Sequence, residues 1–376
     1  MVTATIGHAT GGLAELDDIA DFRRVMAELE IPEPRVRAVP HLWKWDRLRD
    51  RLLDSRSFDL EKVRRRAFAL CNPGLGGRPL AATTLFASMS IYFPGDRAPV
   101  HRHTASASRF ALEGVGGYTN VAGEKLIMRR GDLVITPNGE WHDHGNEGAE
   151  PVIWVDVLDV PLVEHLNAVM TEWDYEAAAE GTNSQERVPM KIQKITRAPE
   201  FSQRLFAASG IVPKFGGERR FGRSYTPKFM YRAEEVREAQ RLLRDEAGSP
   251  YEGIIVEYTD PTSGRPVVPT LSFRSQLIRA GEKLMPYRTT ASTVYCVLEG
   301  DGTTDVNGKS LQWSRNDLFV VPGWMWTRHE NRDAANDAIL YSVTDAPTLE
   351  KLGLLRVQGR MPDGKAVDVL RWPAFD

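Results

Sequence analysis

Apolar and polar positions change their period along this chain more than once. Residues 17–29 (DDIADFRRVMAEL) place Ile19, Phe22, Val25, Met26 and Leu29 three and four apart, the spacing of one helix face. Pro32, Pro34 and Pro40 break that pattern, and residues 45–53 (WDRLRDRLL) resume it through Trp45, Leu48, Leu52 and Leu53. From about residue 64 short apolar runs alternate with turn signals: AFALCNPG, LFASMSIYFPGD, SRFALEGVGG, KLIMRRGD, LVITPNGE, PVIWVDVLD. Gly, Pro, Asn and Asp recur at roughly 8–12 residue intervals, the rhythm of an all-β barrel or sandwich. Helical spacing returns after Pro161 (LVEHLNAVMTEW), a polar stretch follows at 176–197, and a second helix is predicted over 233–245 (AEEVREAQRLLRD). From 251 to about 343 the short-strand rhythm repeats.

The repetition can be aligned residue by residue. HRHTASASRFALEG (101–114) matches YRTTASTVYCVLEG (287–300), and RGDLVITP (130–137) matches RNDLFVVP (315–322). Two copies of one β domain are therefore expected, and each acts as a control for the other. The predicted organisation is an N-terminal helical segment (1–60), a catalytic barrel (61–160), a helical and extended linker (161–248), a second barrel (249–345) and a C-terminal segment (346–376).

Composition adds exclusions. Lys and Arg number 48 against 51 Asp and Glu, a formal charge of −3, which argues against sequence-independent binding of nucleic acid. Residues 1–13 are small and polar, so no secretion signal is expected, and no stretch approaches a membrane span. Cys71 and Cys296 form neither a metal motif nor a disulfide framework. A soluble cytoplasmic protein is the expectation.

Four of the eight histidines fall between positions 101 and 144. His101 and His103 are two apart, so on a strand both rings reach one point inside a barrel. His142 lies downstream in WHDHGN on another expected strand. Three neutral imidazoles suit Fe, Zn, Cu or Ni better than Mg or Ca, and leave positions open for substrate and dioxygen. A lone strand histidine is more often core, but the second copy has Tyr287, Thr289 and Thr327 at these three positions. Histidines that merely filled space would differ less between copies. His144 shares the face of His142 and is a candidate contact to bound ligand, although the second copy keeps His329 there, which fits a packing role. Arg109, six residues past His103, is expected on the same face, as an anion anchor rather than a salt-bridge partner. Arg64, Arg65 and Arg66 precede an apolar strand, and such a run is usually a solvated face.

Gly95, His101-x-His103 and Gly114 form one motif. Gly131, Pro137-x-Gly139, His142 and Asn146 form another. Together they resemble the two-part signature of the cupin superfamily, with His142 as third ligand. The carboxylate that many cupins add is replaced here by Ala107 and Ser108. A dication there would keep its full charge, favouring an anionic chelating substrate.

Over residues 32–354 the chain resembles the gentisate 1,2-dioxygenase family, which includes salicylate 1,2-dioxygenase and 1-hydroxy-2-naphthoate dioxygenase. The carrying motifs are CNPGL (71–75), FPGDRAPVHRHTASASRFALEG (93–114), RRGDLVITPNGEWHDHGNE (129–147), WVDVLDVPLVEHLN (154–167) and PYRTTASTVYCVLEG (286–300). The resemblance implies an all-β bicupin with helical additions: two double-stranded β-helix (jelly-roll) barrels, usually in a homotetramer. It implies one Fe(II) per subunit on His101, His103 and His142 of the first barrel, and no metal in the second. The substrates implied are a small aromatic carboxylate and O2, cleaved between the carboxyl- and hydroxyl-bearing carbons, with no nucleic-acid or membrane partner. Arg109 and Arg65 would bind the carboxylate, Arg66 competing with Arg65. His144 would hydrogen-bond the substrate oxygens and Asp156 would lie near the ring substituents. The pocket strand reads Phe86-Ala-Ser88-Met-Ser90, more hydroxyl-rich than is usual in the family. That leaves gentisate, a 5-substituted salicylate (amino, nitro, halo), salicylate and 1-hydroxy-2-naphthoate as candidate substrates. A metal-dependent isomerase or decarboxylase, and a non-enzymatic cupin sensor, are the competing classes.

Overall fold

The computed structural model describes residues 22–60, 64–177, 187–208, 211 and 224–370. The described residues fall into two units, divided between residues 35 and 36. Within the first, the amphipathic pattern forms the helix Phe22–Leu29, and the expected helical residues 17–21 lie outside the described set.

The second unit opens with β1 (His41–Trp43) and the helix Trp45–Asp54. Next come β2 (Arg66–Ala69), β3 (Phe86–Tyr92), β4 (Arg97–His103), β5 (Ala107–Glu113), β6 (Gly117–Val121) and β7 (Glu124–Ile127). β8 (Leu133–Thr136), β9 (His142–Asn146) and β10 (Val152–Leu158) lead to the helix Val160–His165, β11 (Thr171–Trp173), β12 (Tyr175–Ala177) and β13 (Arg187–Pro189). After the short helix Phe201–Leu205 the plan repeats: β14 (Met230–Tyr231), the helix Ala233–Leu243, β15 (Ile254–Tyr258), β16 (Ser272–Ile278), β17 (Tyr287–Thr289), β18 (Thr293–Glu299) and β19 (Gly302–Val306). It ends with β20 (Lys309–Trp313), β21 (Leu318–Val321), β22 (Thr327–Asn331), β23 (Ala338–Thr344), the helix Ala346–Lys351, β24 (Val357–Arg360) and β25 (Ala366–Leu370).

The expected pair of all-β barrels is present. Sheet β14-β8-β5-β10-β3-β2 faces sheet β11-β4-β9-β6-β7, and β1-β21-β18-β23-β16-β15 faces β20-β19-β22-β17-β24-β25. The central strands β3, β5, β8 and β10 of the first barrel and β16, β18, β21 and β23 of the second are buried on both faces. One face of β3, β5 and β10 (Met89, Phe110, Leu112, Val155) packs against Val294, Cys296, Leu318 and Tyr341 of the other barrel in one shared core. Phe110 and Tyr341 stack there at 3.8 Å. The opposite faces fill the two interiors, around Trp154 and Trp313. Gly114 turns the chain after β5 with φ +88, where a Cβ would stand 2.2 Å from Pro151 O. Cys71 and Cys296 are both free.

The barrels exchange their leading strands. β1, early in the chain, pairs with β21 of the second barrel, and β14, early in the second copy, pairs with β8 of the first. Each helix that follows stays with its own copy: Arg49 bonds Glu113, and Arg237 bonds Glu299 at the matching position. Strands two or three residues long carry no alternation for a sequence reading to detect. The helix expected after Pro161 is also shorter than its pattern. It ends at His165, Asn167 takes φ +54, and residues 171–173 pair with β4 instead.

Candidate active site

β4 presents His101 and His103 to the first interior, and the register sets His142 of β9 opposite His101. Ring centroids of His142 lie 4.2 Å from His101 and 4.7 Å from His103. One nitrogen from each of the three falls within 4.8 Å of the others.

Backbone carbonyls fix each ring. Nδ1 of His101 lies 2.8 Å from Pro99 O, Nδ1 of His103 2.7 Å from Ala105 O, and Nδ1 of His142 2.8 Å from Glu140 O. A carbonyl only accepts, so Nδ1 carries the proton in all three and Nε2 offers its lone pair. His142 Nε2 is buried without a hydrogen-bond partner. Burial pushes His101 down to about 3 and His103 to about 4, and holds His142 and His144 well below the ordinary imidazole value. Arg65 and Arg109 add to that. Three neutral nitrogens with no carboxylate, one lone pair orphaned, fit a late first-row dication.

Arg109 on β5 is 2% exposed. Its Nη1 donates to Thr136 Oγ1 (2.5 Å), and its Nε lies 3.3 Å from Asp156 Oδ1, an ion pair without hydrogen-bond geometry. Asp156, opposite Arg109 in the sheet, also accepts from Ser90 Oγ (2.6 Å) and Trp154 Nε1 (3.1 Å). Burial raises the Asp156 carboxyl and lowers the Arg109 guanidinium to about 10, and each partner opposes the shift of the other. At neutral pH Arg109 stays charged.

The arginine run divides its work. Arg65 Nη2 stands 3.1 Å from His101 Nε2, whereas Arg66 turns away to Asp96 and the carbonyls of Ser55 and Phe58. Arg64 covers the Trp173 ring (4.5 Å), which itself stacks on His101 (5.0 Å). Ser88 and Ser90 stand on β3 opposite Asp156 and Trp154, and Phe86 opens the same strand. His144 lies beside the trio, 5.3 Å from His142 between centroids, with Nδ1 3.1 Å from Thr119 Oγ1 and Nε2 buried and unpartnered.

The second barrel repeats part of this. His329 holds Thr304 (2.8 Å) as His144 holds Thr119, but Tyr287 and Tyr295 pair through their hydroxyls (3.3 Å) where the first barrel has His101 and Arg109.

Sequence reasoning missed Trp173, Thr119, Thr136 and Tyr92. Tyr92 stacks on Trp154 at 4.6 Å and lies 6.5 Å from His144. It is the next residue on the Ser88–Ser90 face of β3, so strand period alone could have found it. Trp173 came through an edge strand that the helical pattern hid.

Residues 88–158 match the Cupin domain family. The chain is 35% identical to a 5-aminosalicylate 1,2-dioxygenase of Comamonas sp, over 92% of this chain and 88% of that one. It is 35% identical to gentisate 1,2 dioxygenase 1 of Aquipseudomonas alcaligenes, over 91% and 93%. Among solved structures, salicylate 1,2-dioxygenase from Pseudoaminobacter salicylatoxidans, as adducts with gentisate, superposes with a TM-score of 0.81 at 30% identity, covering 91% of each chain. With its two barrels and its histidine cluster, this chain belongs to the gentisate and salicylate 1,2-dioxygenase family of bicupin ring-cleaving enzymes.

Proposed function

We propose that the chain cleaves gentisate, or a related 2-hydroxybenzoate, between its carboxyl- and hydroxyl-bearing carbons with both atoms of O2. The observation that carries this is the neutral, carboxylate-free histidine trio beside a buried arginine. His101, His103 and His142 hold Fe(II), one per subunit, which supplies a Lewis-acid centre able to bring an electron-rich chelate and dioxygen together. Arg109, held in line by Asp156 and Thr136, binds the substrate carboxylate. Arg65 leaves His101 Nε2 to take the other side of that carboxylate. His144 donates or accepts at the substrate oxygens through its free Nε2, its Nδ1 being held by Thr119. Asp156 faces the ring substituents from the same sheet as Phe86, Ser88 and Ser90. Trp173 and Tyr92 wall the site against water.

The second barrel, with Tyr287, Thr289 and Thr327 at the ligand positions, is metal-free, the enzyme works as a homotetramer, as its family resemblance implies, and its cysteine usage and composition suit the cytoplasm. Among the described residues no helix is long and apolar enough to cross a membrane. A 5-substituted salicylate is the second substrate reading, supported by the 5-aminosalicylate relative and the two β3 serines. The test is oxygen uptake by protein loaded with Fe(II) under anaerobic conditions, across gentisate, salicylate and 5-amino, 5-nitro and 5-halo salicylates. Uptake with at least one, together with ring-opened product absorbance, is expected. No uptake with any 2-hydroxybenzoate overturns the reading.

A further inference from the structure

Arg64, Arg65 and Arg66 reach three different places from one short stretch of chain. Arg66, at the start of β2, is fixed: its guanidinium donates to Asp96 and to the carbonyl oxygens of Ser55 and Phe58. Arg64 is fixed on the other side, with its guanidinium 4.5 Å from the centre of the Trp173 ring, a cation–π contact. Its N–H donates to Leu60 O (2.7 Å), and its backbone takes φ +61, the left-handed region that residues other than glycine seldom adopt. Strain of that kind persists only where the surrounding contacts hold it. Here it sends neighbouring side chains to different targets, Arg64 to the indole and Arg65 to Nε2 of His101 (3.1 Å).

Trp173 is held in turn. It stands opposite His101 in the antiparallel β4–β11 pair, so both side chains project to the same side of the sheet. Their rings stack at 5.0 Å with the planes 30° apart. On one side of Trp173, Asp174 N donates to Val100 O (3.0 Å). On the other, Glu172 pairs with Arg102 across the same two strands. These contacts fix the backbone that carries the indole, and the indole then joins a metal-ligand candidate, His101, to the peptide that carries Arg65.

Building on the ring-cleaving function proposed for this site, we propose that Trp173 and Arg64 form a latch that positions Arg65 for the substrate carboxylate. With residue 64 held on the indole and residue 66 on Asp96, the backbone of residue 65 is pinned from both sides. The Arg65 guanidinium can then leave His101 Nε2 and swing to the carboxylate while its Cα stays in place. Once the latch is removed, residue 64 is free to relax to an ordinary backbone conformation, which turns the side chain of residue 65 away from the site. Trp173 and Arg64 are positioning residues, and both act through Arg65.

The test is the affinity for gentisate and for 5-aminosalicylate, measured by calorimetry without oxygen on protein loaded with Fe(II), so that no turnover contributes. Trp173→Ala and Arg64→Gly should each weaken binding by roughly tenfold, the scale of one charge-assisted contact. Glycine accepts the left-handed backbone without strain, so Arg64→Gly removes the guanidinium and should keep the wild-type melting temperature and iron content. Trp173→Phe keeps an aromatic face and should bind within about threefold of wild type. In steady-state kinetics the loss should fall on KM and leave kcat nearly unchanged. The same two changes made on an Arg65→Gln background should weaken binding by less than about twofold, because the residue they act through is gone. Equal losses with and without Arg65 overturn the proposal, as does wild-type affinity in Trp173→Ala and Arg64→Gly. Loss of iron in Trp173→Phe also overturns it, since the ring would then serve His101 alone. All three results leave ring cleavage standing. Wild-type protein that binds no 2-hydroxybenzoate overturns both readings together.

Discussion

At the scale of single residues, the site is organised by which atoms are already engaged. Nδ1 of His101, His103 and His142 is committed to a carbonyl, so only Nε2 is available to a metal. His144 differs, because its Nδ1 meets a hydroxyl that can donate or accept. His142→Ala should therefore abolish metal binding, read as iron per chain by elemental analysis, while His144→Ala keeps the iron and loses turnover. The reverse pattern would exchange the two roles. Asp156 has both oxygens engaged, by Ser90, Trp154 and Arg109. Asp156→Asn leaves a buried guanidinium uncompensated, which costs about 3–5 kcal/mol. A lower urea midpoint and a raised KM for the aromatic acid are expected, and an unchanged midpoint refutes the coupling. The sequence made the histidine spacing and the inward Arg109 legible because both follow strand period. It could not separate Arg65 from Arg66, because the contacts that divide them, His101 for one and Asp96 for the other, lie at least 30 residues away along the chain.

At the scale of elements, three neighbouring strands build the pocket wall. β10 sits between β3 and β5, so Asp156 faces Ser88 on one side and Arg109 on the other. That arrangement ties Ser88 and Ser90 of β3 to Arg109 of β5 through one aspartate. The pair of changes Ser88→Ala and Ser90→Gln removes one hydroxyl and replaces the donor to Asp156 with a longer amide. A changed ranking of kcat/KM among gentisate and the 5-substituted salicylates is the expected outcome, with iron content unaltered. An unchanged ranking shows that β3 does not select the substrate. The barrels themselves were readable because turn residues punctuate apolar runs twice over. The edge strand β11 was not: its residues fit a helical period, and its pairing partner β4 lies about seventy residues earlier. The exchanged β1 and β14 were hidden for a related reason, since their few residues are fixed by the opposite barrel and not by any local pattern.

At the scale of the whole molecule, the two copies are locked by a reciprocal pair of buried carboxylates. Asp159 of the first copy accepts from Ser106 N (2.8 Å) and from Thr270 Oγ1 of the second copy (2.5 Å). Asp345 of the second copy accepts from Ser292 N (2.8 Å) and from Thr84 of the first. Burial raises both carboxyls, and pushes Asp345 from 3.8 up to about 6, because the hydrogen bonds do not fully offset the loss of water. A raised carboxyl binds its proton more tightly in the folded chain than in the unfolded one. Between pH 4 and 6 the native state thus holds more protons, and stability falls as pH rises through that window. The contribution is complete below the unfolded value and gone above the folded one. A shift of about two units corresponds to about 3 kcal/mol of destabilisation at neutral pH. Asp345→Asn keeps an acceptor for Ser292 N and offers Thr84 a donor, but carries no charge. The variant should melt higher than wild type at pH 7.5, and the two curves should converge below pH 4. A variant that melts lower at pH 7.5, with the difference vanishing in acid, would show that the ionised carboxylate is the stabilising form and that the lock depends on its charge.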